Sequence, residues 1–325
     1  MDEVAISMHG LTKRFGETTA VDHIDLEIYK GELFGLLGAN GAGKSTIIKM
    51  LTTMLTPSDG KAQVWGHDVI RERNAVRSSI GVVFQDPAWD GMLTGRENLD
   101  FHGRMYGMNG RLRQERIDEV LKLVDLVDKA DIKMEDYSGG MQRRLEIARG
   151  LMHYPHVLFM DEPTLGLDAQ TRRYIWEYIR NMNKEKGVTI ILTTHYMEEA
   201  DALCDRVAII DKGKVVALGT PSNLKDMIGS DTISLEVQMG TETLLPCLQS
   251  FPWIKSVAVI NGTLELMVDH AQSRIPEIIQ EANKCGTVIT SVGLHKPSLE
   301  DVFLKYTGRK IRDTGNNSTA HRRRR

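Results

Sequence analysis

No run of apolar residues in this chain is long enough to cross a bilayer: the longest, such as VTIIL at 188 to 192, fall far short of the ~18 residues a span requires. The N-terminal MDEVAISMHG puts Asp2 and Glu3 where a signal peptide carries positive charge, and it has no apolar core region. Export by that route is therefore not expected, and any membrane role has to come through a partner. Cysteine is scarce and unpatterned. Cys204, Cys247 and Cys285 are widely spaced, with no CxxC and no histidine pattern nearby, which reads as reduced core thiols and argues against zinc sites and disulfide frameworks alike. Charge of one sign is also lacking: 41 basic against 44 acidic residues, net −3, gives no general electrostatic case for nucleic-acid binding. What is present is the composition of folded domains, 41% hydrophobic and 26% charged, over 325 residues, enough for two or three units with full-sized cores.

One stretch organises the chain, GANGAGKST at 38 to 46. Before it, ELFGLL at 32 to 37 is an apolar run of strand length; after it, TIIKMLTTML at 46 to 55 has helical apolar spacing. A glycine-rich turn between strand and helix is the setting a phosphate-binding loop requires. Gly38, Gly41 and Gly43 let the backbone wrap tightly and turn N–H groups toward an anion at the positive end of the helix dipole, with Asn40 and Thr46 in the same cradle. Lys44 adds an ammonium that reaches β- and γ-phosphates, and Ser45 offers a hydroxyl to Mg²⁺, a hard cation that shares oxygen ligands with substrate phosphates.

Around this loop, residues 4 to 37 carry several short β-type runs, including the alternating IDLEI at 24 to 28, which predict an antiparallel layer leading into the loop strand. Phe15 in KRFG is by default a core aromatic, and its face can also stack on a purine base. KAQVWG and IGVVFQ predict further strands, Gln85 ending the second, at the kind of strand end where ligand contacts cluster in α/β sheets. From Thr94 to about Arg149 helical signals take over. Ile117, Val120, Leu121, Val124 and Val127 form an apolar stripe, so a helical insertion of roughly 60 residues is expected within an α/β core. At its end, YSGGM at 137 to 141 places Ser138 to cap a helix whose first turn opens with Gly139 and Gly140; two glycines there weaken a helix, so free N–H groups aimed at an anion account for them better.

The apolar run VLFM at 157 to 160 reads as a strand buried on both faces, and it ends in adjacent carboxylates, Asp161 and Glu162. Asp161 suits a Mg²⁺ ligand, and Glu162 can accept a proton from an attacking water. GVTIILTTH then brings His195 to another strand end on the same rim of a parallel sheet.

In that order GANGAGKST, Gln85, YSGGM, FMDEP, GLD and His195 closely resemble the nucleotide-binding domain of ATP-binding cassette (ABC) proteins, over about residues 4 to 228. The resemblance implies a P-loop NTPase (RecA-like) α/β core with an antiparallel β layer and a helical subdomain at about 88–149. It implies ATP and Mg²⁺ as ligands, with Phe15 stacking on adenine, Lys44 and Ser45 on phosphates and metal, Gln85 sensing metal and nucleophilic water, Asp161 supporting the metal and Glu162 as catalytic carboxylate. His195 would contact the γ-phosphate, Asp168 would lie in the loop crossing to another subunit, and Ser138 with Gly139 and Gly140 would bind the ATP held by the opposite subunit of a homodimer. The usual LSGGQ is YSGGM here, with Met141 where glutamine is common. With LTGRENL at 93 to 99, RRLEIARGL and LEDVFLKYTG at 299 to 308, the chain resembles the daunorubicin/multidrug-resistance type of exporter ATPase.

Residues 229 to 308 read as strand, helix, strand, strand, helix, strand, a small α+β domain of split βαβ order with no convergent catalytic set, suited to regulation, dimer contact or plain stability. The stretch 309–325, with four terminal arginines, has the composition of a disordered basic tail. The expected function is therefore an ATPase subunit, cytoplasmic and peripheral on the inner face of the membrane, that drives a separate integral membrane permease exporting drugs or other small or hydrophobic molecules. The alternative is a soluble ABC ATPase acting on ribosomes or DNA; such relatives usually carry two cassettes, a long coiled-coil insertion or zinc cysteines, none of which is seen here. A P-loop kinase is disfavoured, since Glu162 beside Asp161 suits water activation better than transfer to an acceptor.

Overall fold

The computed structural model describes residues 3–308 apart from 87, 230, 239–240, 261–262 and 270, so the expected basic tail at 309–325 lies outside the described residues. The chain divides into two compact units, one running through Pro221 and including, of the described residues, 306–308, and the other covering Ser222–Lys305.

In chain order the first unit runs β1 (Val4–Phe15), β2 (Thr18–Tyr29), β3 (Leu33–Leu37), α1 (Lys44–Leu51), β4 (Asp59–Val64), β5 (His67–Asp68), α2 (Arg73–Ser79), β6 (Ile80–Val83), α3 (Gly95–Met105), α4 (Gly110–Leu123), α5 (Gly139–Leu151), β7 (Val157–Asp161), α6 (Ala169–Lys186), β8 (Thr189–Thr194), α7 (Met197–Leu203), β9 (Arg206–Asp211) and β10 (Lys214–Gly219). Two sheets result. The first is antiparallel in the order β2-β1-β4-β5: β1 and β2 form the layer expected ahead of the phosphate loop, and β4 and β5, from after the loop, extend it. The second has the order β10-β9-β3-β8-β7-β6, parallel except for the edge strand β10. Every residue of β3, β7 and β8 is buried, as continuous apolar runs require when a sheet is covered on both faces.

Helix α1 packs between the layers, touching β2 and β4 on one side and β7 on the other. An eight-residue helix is marginal alone; burying Ile47, Ile48, Met50 and Leu51, at about 2 kcal/mol each, makes this one stable and fixes its first turn at the end of β3. The parallel sheet aims the ends of β3, β7 and β8 at the same rim.

Two expectations need adjusting. β6 pairs with β7 only as far as Val83 opposite Met160, so Gln85 lies in the loop two residues past the strand rather than at its last position. The helical insertion is α3 to α5, opened by a Thr94–Glu97 capping box. The apolar stripe buries Ile117, Val120, Leu121 and Val124, but Val127 is 53% exposed. α4 stops at Leu123, and Asp125 enters the left-handed region at φ 53°, which breaks the helical period before Val127 is reached.

The second unit runs α8 (Pro221–Asp226), β11 (Asp231–Val237), α9 (Thr241–Gln249), β12 (Ile254–Ile260), β13 (Thr263–Val268), α10 (Ala271–Lys284) and β14 (Ile289–His295), with α11 (Leu299–Thr307) closing the described chain. Its sheet is antiparallel in the order β12-β13-β11-β14. Ile233, Leu235, Leu264 and Leu266 pack against Leu244 and Leu248 of α9 and Ile278 and Ala282 of α10. The division falls a few residues ahead of the 228/229 boundary expected from sequence, and the turn after α8 is tied into this unit by the Lys305 ammonium, which donates to the Met227 carbonyl at 2.8 Å. The cysteines also need a correction. Cys204 is a buried thiol as expected, but Cys247 and Cys285 are only half-buried and lie side by side, because α9 and α10 are packed as neighbours.

Candidate active site

The turn from β3 into α1 is built by backbone conformations that ordinary residues resist. Gly41 and Gly43 have φ of 80° and 110°, and a Cβ on Gly43 would stand 2.5 Å from the Ala20 carbonyl oxygen. Lys44 opens the helix and is buried. Its ammonium donates to the carbonyls of Gly38 at 2.7 Å and Ala39 at 3.2 Å, and lies 3.9 Å from the Glu162 carboxylate. Burial pushes the ammonium below its ordinary pKa, while the charges of Glu162 and Asp161 draw it back up.

Facing the loop are the ends of β7 and β8. Ser45 Oγ donates to Asp161 Oδ1 at 3.1 Å, and Thr193 Oγ donates to the same carboxylate oxygen at 2.5 Å. Glu162 follows in the left-handed region at φ 48°, a conformation costly for a residue with a Cβ. It is held there by its own N–H, which donates to the Thr193 carbonyl at 3.2 Å and hydroxyl at 3.0 Å. The turn aims the carboxylate at His195 Nδ1, 3.0 Å away, and at Lys44. Burial raises the Glu162 carboxyl, but the hydrogen bond and charge of His195 and the charge of Lys44 outweigh it, and the group sits below its ordinary value, ionised near neutral pH.

Of these groups Gly41, Gly43, Lys44, Ser45, Glu162 and His195 line a cleft of about 600 Å³ together with Asn40, Thr46 and Gln85, and Asp161 is buried behind Ser45. The donor set fits the ligands expected from sequence: a glycine cradle, a buried ammonium and, for a magnesium ion, the hard oxygens of Ser45 and Asp161 already within hydrogen-bond distance of each other. Other expected site residues stand apart from this cleft. Phe15 is 51% exposed at the end of β1, with the Lys13 ammonium 5.2 Å from its ring centroid, so a core role is ruled out. Ser138 caps α5 by accepting the Met141 N–H at 3.3 Å, and with Gly140, Arg144 and Thr171 it lines a second cleft of about 390 Å³, beside Gly139. Asp168 caps α6, accepting from Gln170 and Thr171.

The sequence reading missed Arg143. Its buried guanidinium donates to the carbonyls of Pro163 at 2.6 Å, Phe84 at 2.7 Å, Asp161 at 3.2 Å and Glu162 at 3.3 Å, and pairs with Glu146 at 2.7 Å. It thereby joins α5, the Gln85 loop and the β7 terminus. The available signal was an Arg and a Glu three residues apart on one face of a helix whose other members are apolar. Thr193, which holds the Asp161 carboxylate and the Glu162 N–H, was also missed; a threonine near the end of a fully buried strand was its only trace.

A parallel sheet with its phosphate loop after β3 and a carboxylate pair ending β7 defines a P-loop NTPase. Residues 21–165 match the ABC transporter family, and residues 219–307 match the C-terminal domain of DrrA1-3-like ATP-binding proteins. The chain is 39% identical to the daunorubicin resistance ATP-binding protein DrrA3 of Streptomyces coeruleorubidus, over 95% of this chain and 97% of that protein. It is 40% identical to the linearmycin resistance ATP-binding protein LnrL of Bacillus subtilis (strain 168), over 95% and 100%, and 42% identical to a Nod factor export ATP-binding protein I of Rhizobium sp. (strain N33), over 96% and 99%. Among solved structures, CbiO1 of Clostridium perfringens, part of an ABC transporter complex, superposes with a TM-score of 0.65 at 29% identity, covering 70% of this chain and 94% of that one. A dimeric ATP-binding cassette bound to ADP and phosphate gives 0.59 at 28%, covering 66% and 98%. The chain belongs to the ABC transporter family, as an ATP-binding and ATP-hydrolysing subunit of the daunorubicin/multidrug-resistance exporter type.

Proposed function

We propose that this subunit hydrolyses ATP in a site completed by a second copy of itself and drives a separate integral membrane permease that exports a drug or another small or hydrophobic molecule. The observation that carries the reading is the placement of one ionised carboxylate, Glu162, between the phosphate-loop lysine and His195. The loop N–H groups and Lys44 would hold the β- and γ-phosphates, and of the other residues lining the cleft His195 would contact the γ-phosphate and Gln85 the attacking water. Glu162 takes a proton from water as its oxygen attacks the γ-phosphorus and the bond to ADP breaks. Ser45, Asp161 and Gln85 would hold magnesium, whose charge neutralises the phosphate oxygens when it is bound. Phe15 offers its exposed ring to adenine. Ser138 and Gly140, which line a separate cleft of the same chain, serve with Gly139 the ATP of the other copy, with Asp168 in the loop that crosses between them. Lys44→Ala should abolish tight ATP binding; unchanged affinity for a fluorescent ATP analogue would contradict the phosphate-loop assignment.

The permease contact we infer is an apolar groove of about 740 Å³ lined by Phe84, Trp89, Phe101, Met105, Tyr106 and Arg149, among others. Phe84 lines this groove while its neighbour Gln85 lines the nucleotide cleft, which links the two by one residue step. Phe101 and Met105 are 59% and 70% exposed. The buried Trp89 Nε1 and Arg149 Nε have no hydrogen-bond partner among the described residues, so an occupant bringing backbone or carboxylate oxygens would complete them. The subunit would then be cytoplasmic and peripheral on the inner membrane face; among the described residues no helix is long and apolar enough to cross a membrane. Phe101→Asp should leave ATP binding intact and remove co-purification with the permease; full retention of the complex would contradict this contact.

A further inference from the structure

The second unit holds a thiol pair that the ATPase chemistry does not use. Cys247 stands near the end of α9 and Cys285 directly after α10, two helices packed side by side. Their Sγ atoms are 2.7 Å apart across 38 residues of sequence. That is well inside the ordinary separation of non-bonded sulfurs, while a disulfide bond is about 2.0 Å, so a small rotation of the two side chains closes the gap. Both residues are half-buried, within reach of a small thiol reagent. Cys247 also donates to the Thr243 carbonyl at 3.3 Å.

We propose that Cys247 and Cys285 form a covalent modification site, in which oxidation joins them in an intramolecular disulfide that fastens α9 to α10 and reduction releases it. The oxidant class is a low-molecular-weight disulfide. The Cys247 thiolate attacks one sulfur of the reagent, forming a mixed disulfide and expelling one thiolate. Cys285 then gives its proton to solvent and attacks Cys247 Sγ, forming the protein disulfide and expelling the second thiolate. Two electrons and two protons leave the protein, and one reagent disulfide becomes two thiols. Its hydrogen bond to Cys247, and then burial, push the Cys285 thiol up to about 11, and the product is the same disulfide whichever sulfur attacks first.

A metal site is the competing use of the same atoms, because a Glu281 carboxylate oxygen lies within 4.8 Å of both sulfurs. Two features favour the disulfide. A tetrahedral zinc with Zn–S of about 2.3 Å requires the sulfurs to move apart, whereas the bond requires a shorter move together. Glu281 is moreover already neutralised by Lys284, 2.9 Å away. The cross-link would close the 38-residue span between α9 and α10 and restrict the unfolded chain.

The test uses the full chain treated with oxidised glutathione, then alkylation, digestion and mass spectrometry. The expected product has lost about 2 Da and two of its three thiols, contains a peptide linking Cys247 to Cys285, keeps Cys204 reduced, and reverts with dithiothreitol. Oxidation should raise the thermal transition of the C-terminal unit by roughly 10 °C in the wild type and leave it unmoved in Cys247→Ser and Cys285→Ser. Glutathione adducts on both cysteines without a cross-link, or a cross-link that leaves the transition unmoved, would overturn the proposal. So would one equivalent of Zn²⁺ bound by the reduced chain, lost in Cys285→Ser and blocking the cross-link, which would assign the cluster to metal.

Discussion

Glu162 combines backbone strain and burial with the Lys44 ammonium and the His195 ring as neighbours, and it persists in the left-handed region only because Thr193 and Arg143 hold the chain around it. Arg143 is the less obvious member. It donates to four carbonyls drawn from the Gln85 loop and the β7 terminus, and its ion pair with Glu146 is buried on both sides. Arg143→Met should cost about 3–5 kcal/mol in urea denaturation, because it leaves the Glu146 charge buried and unpaired. Arg143→Lys, which keeps charge but cannot fork to several carbonyls, should lower kcat at least tenfold with little change in KM, since it disturbs where Glu162 points rather than the phosphate loop. A loss under 1 kcal/mol for the first variant, or an unchanged kcat for the second, would contradict the bracing role.

In the helical insertion, His102 of α3 lies tilted against the rings of Tyr106 and His153, and burial, then the charges of Arg149 and His153, lower its pKa to about 3. The folded state therefore binds this proton far less readily than the unfolded chain, whose histidine titrates near 6.5. Stability contributed by the neutral ring is fully present above about pH 6.5 and declines as pH falls toward 3. Wild-type melting temperature should drop between pH 7.5 and 5 more steeply than that of His102→Asn; parallel curves would contradict the burial argument. The elements themselves were largely legible in the sequence. β3, β7 and β8 announced themselves as short continuous apolar runs because both faces are covered, and the phosphate loop because only glycine satisfies φ of 80° and 110° at Gly41 and Gly43. What stayed hidden depends on tertiary neighbours. A left-handed turn at Asp125 detached Val127 from its stripe, carbonyl bonding by Arg143 leaves no periodic trace, and Cys247 meets Cys285 only because α9 and α10 pack together.

At the scale of the whole molecule, two units with separate cores imply separable folding. A chain ending at Pro221 should unfold cooperatively and still bind ATP, and loss of either would contradict the division. The central claim is that hydrolysis needs Glu162 while nucleotide binding does not, and that two copies complete each site. Within one chain Ser138, Gly139 and Gly140 are not among the residues lining the nucleotide cleft, and Ser138 and Gly140 line another. Glu162→Gln keeps size and hydrogen-bonding shape but cannot take the proton from water, so hydrolysis should fall by roughly 10²–10⁴ while ATP still binds. With the γ-phosphate intact the closed dimer should accumulate. Size-exclusion chromatography of Glu162→Gln is therefore the most direct test: a dimer with ATP, absent with ADP and lost on adding Ser138→Arg, is the predicted result. A variant that binds saturating ATP and stays monomeric, or that hydrolyses at the wild-type rate, would contradict the account.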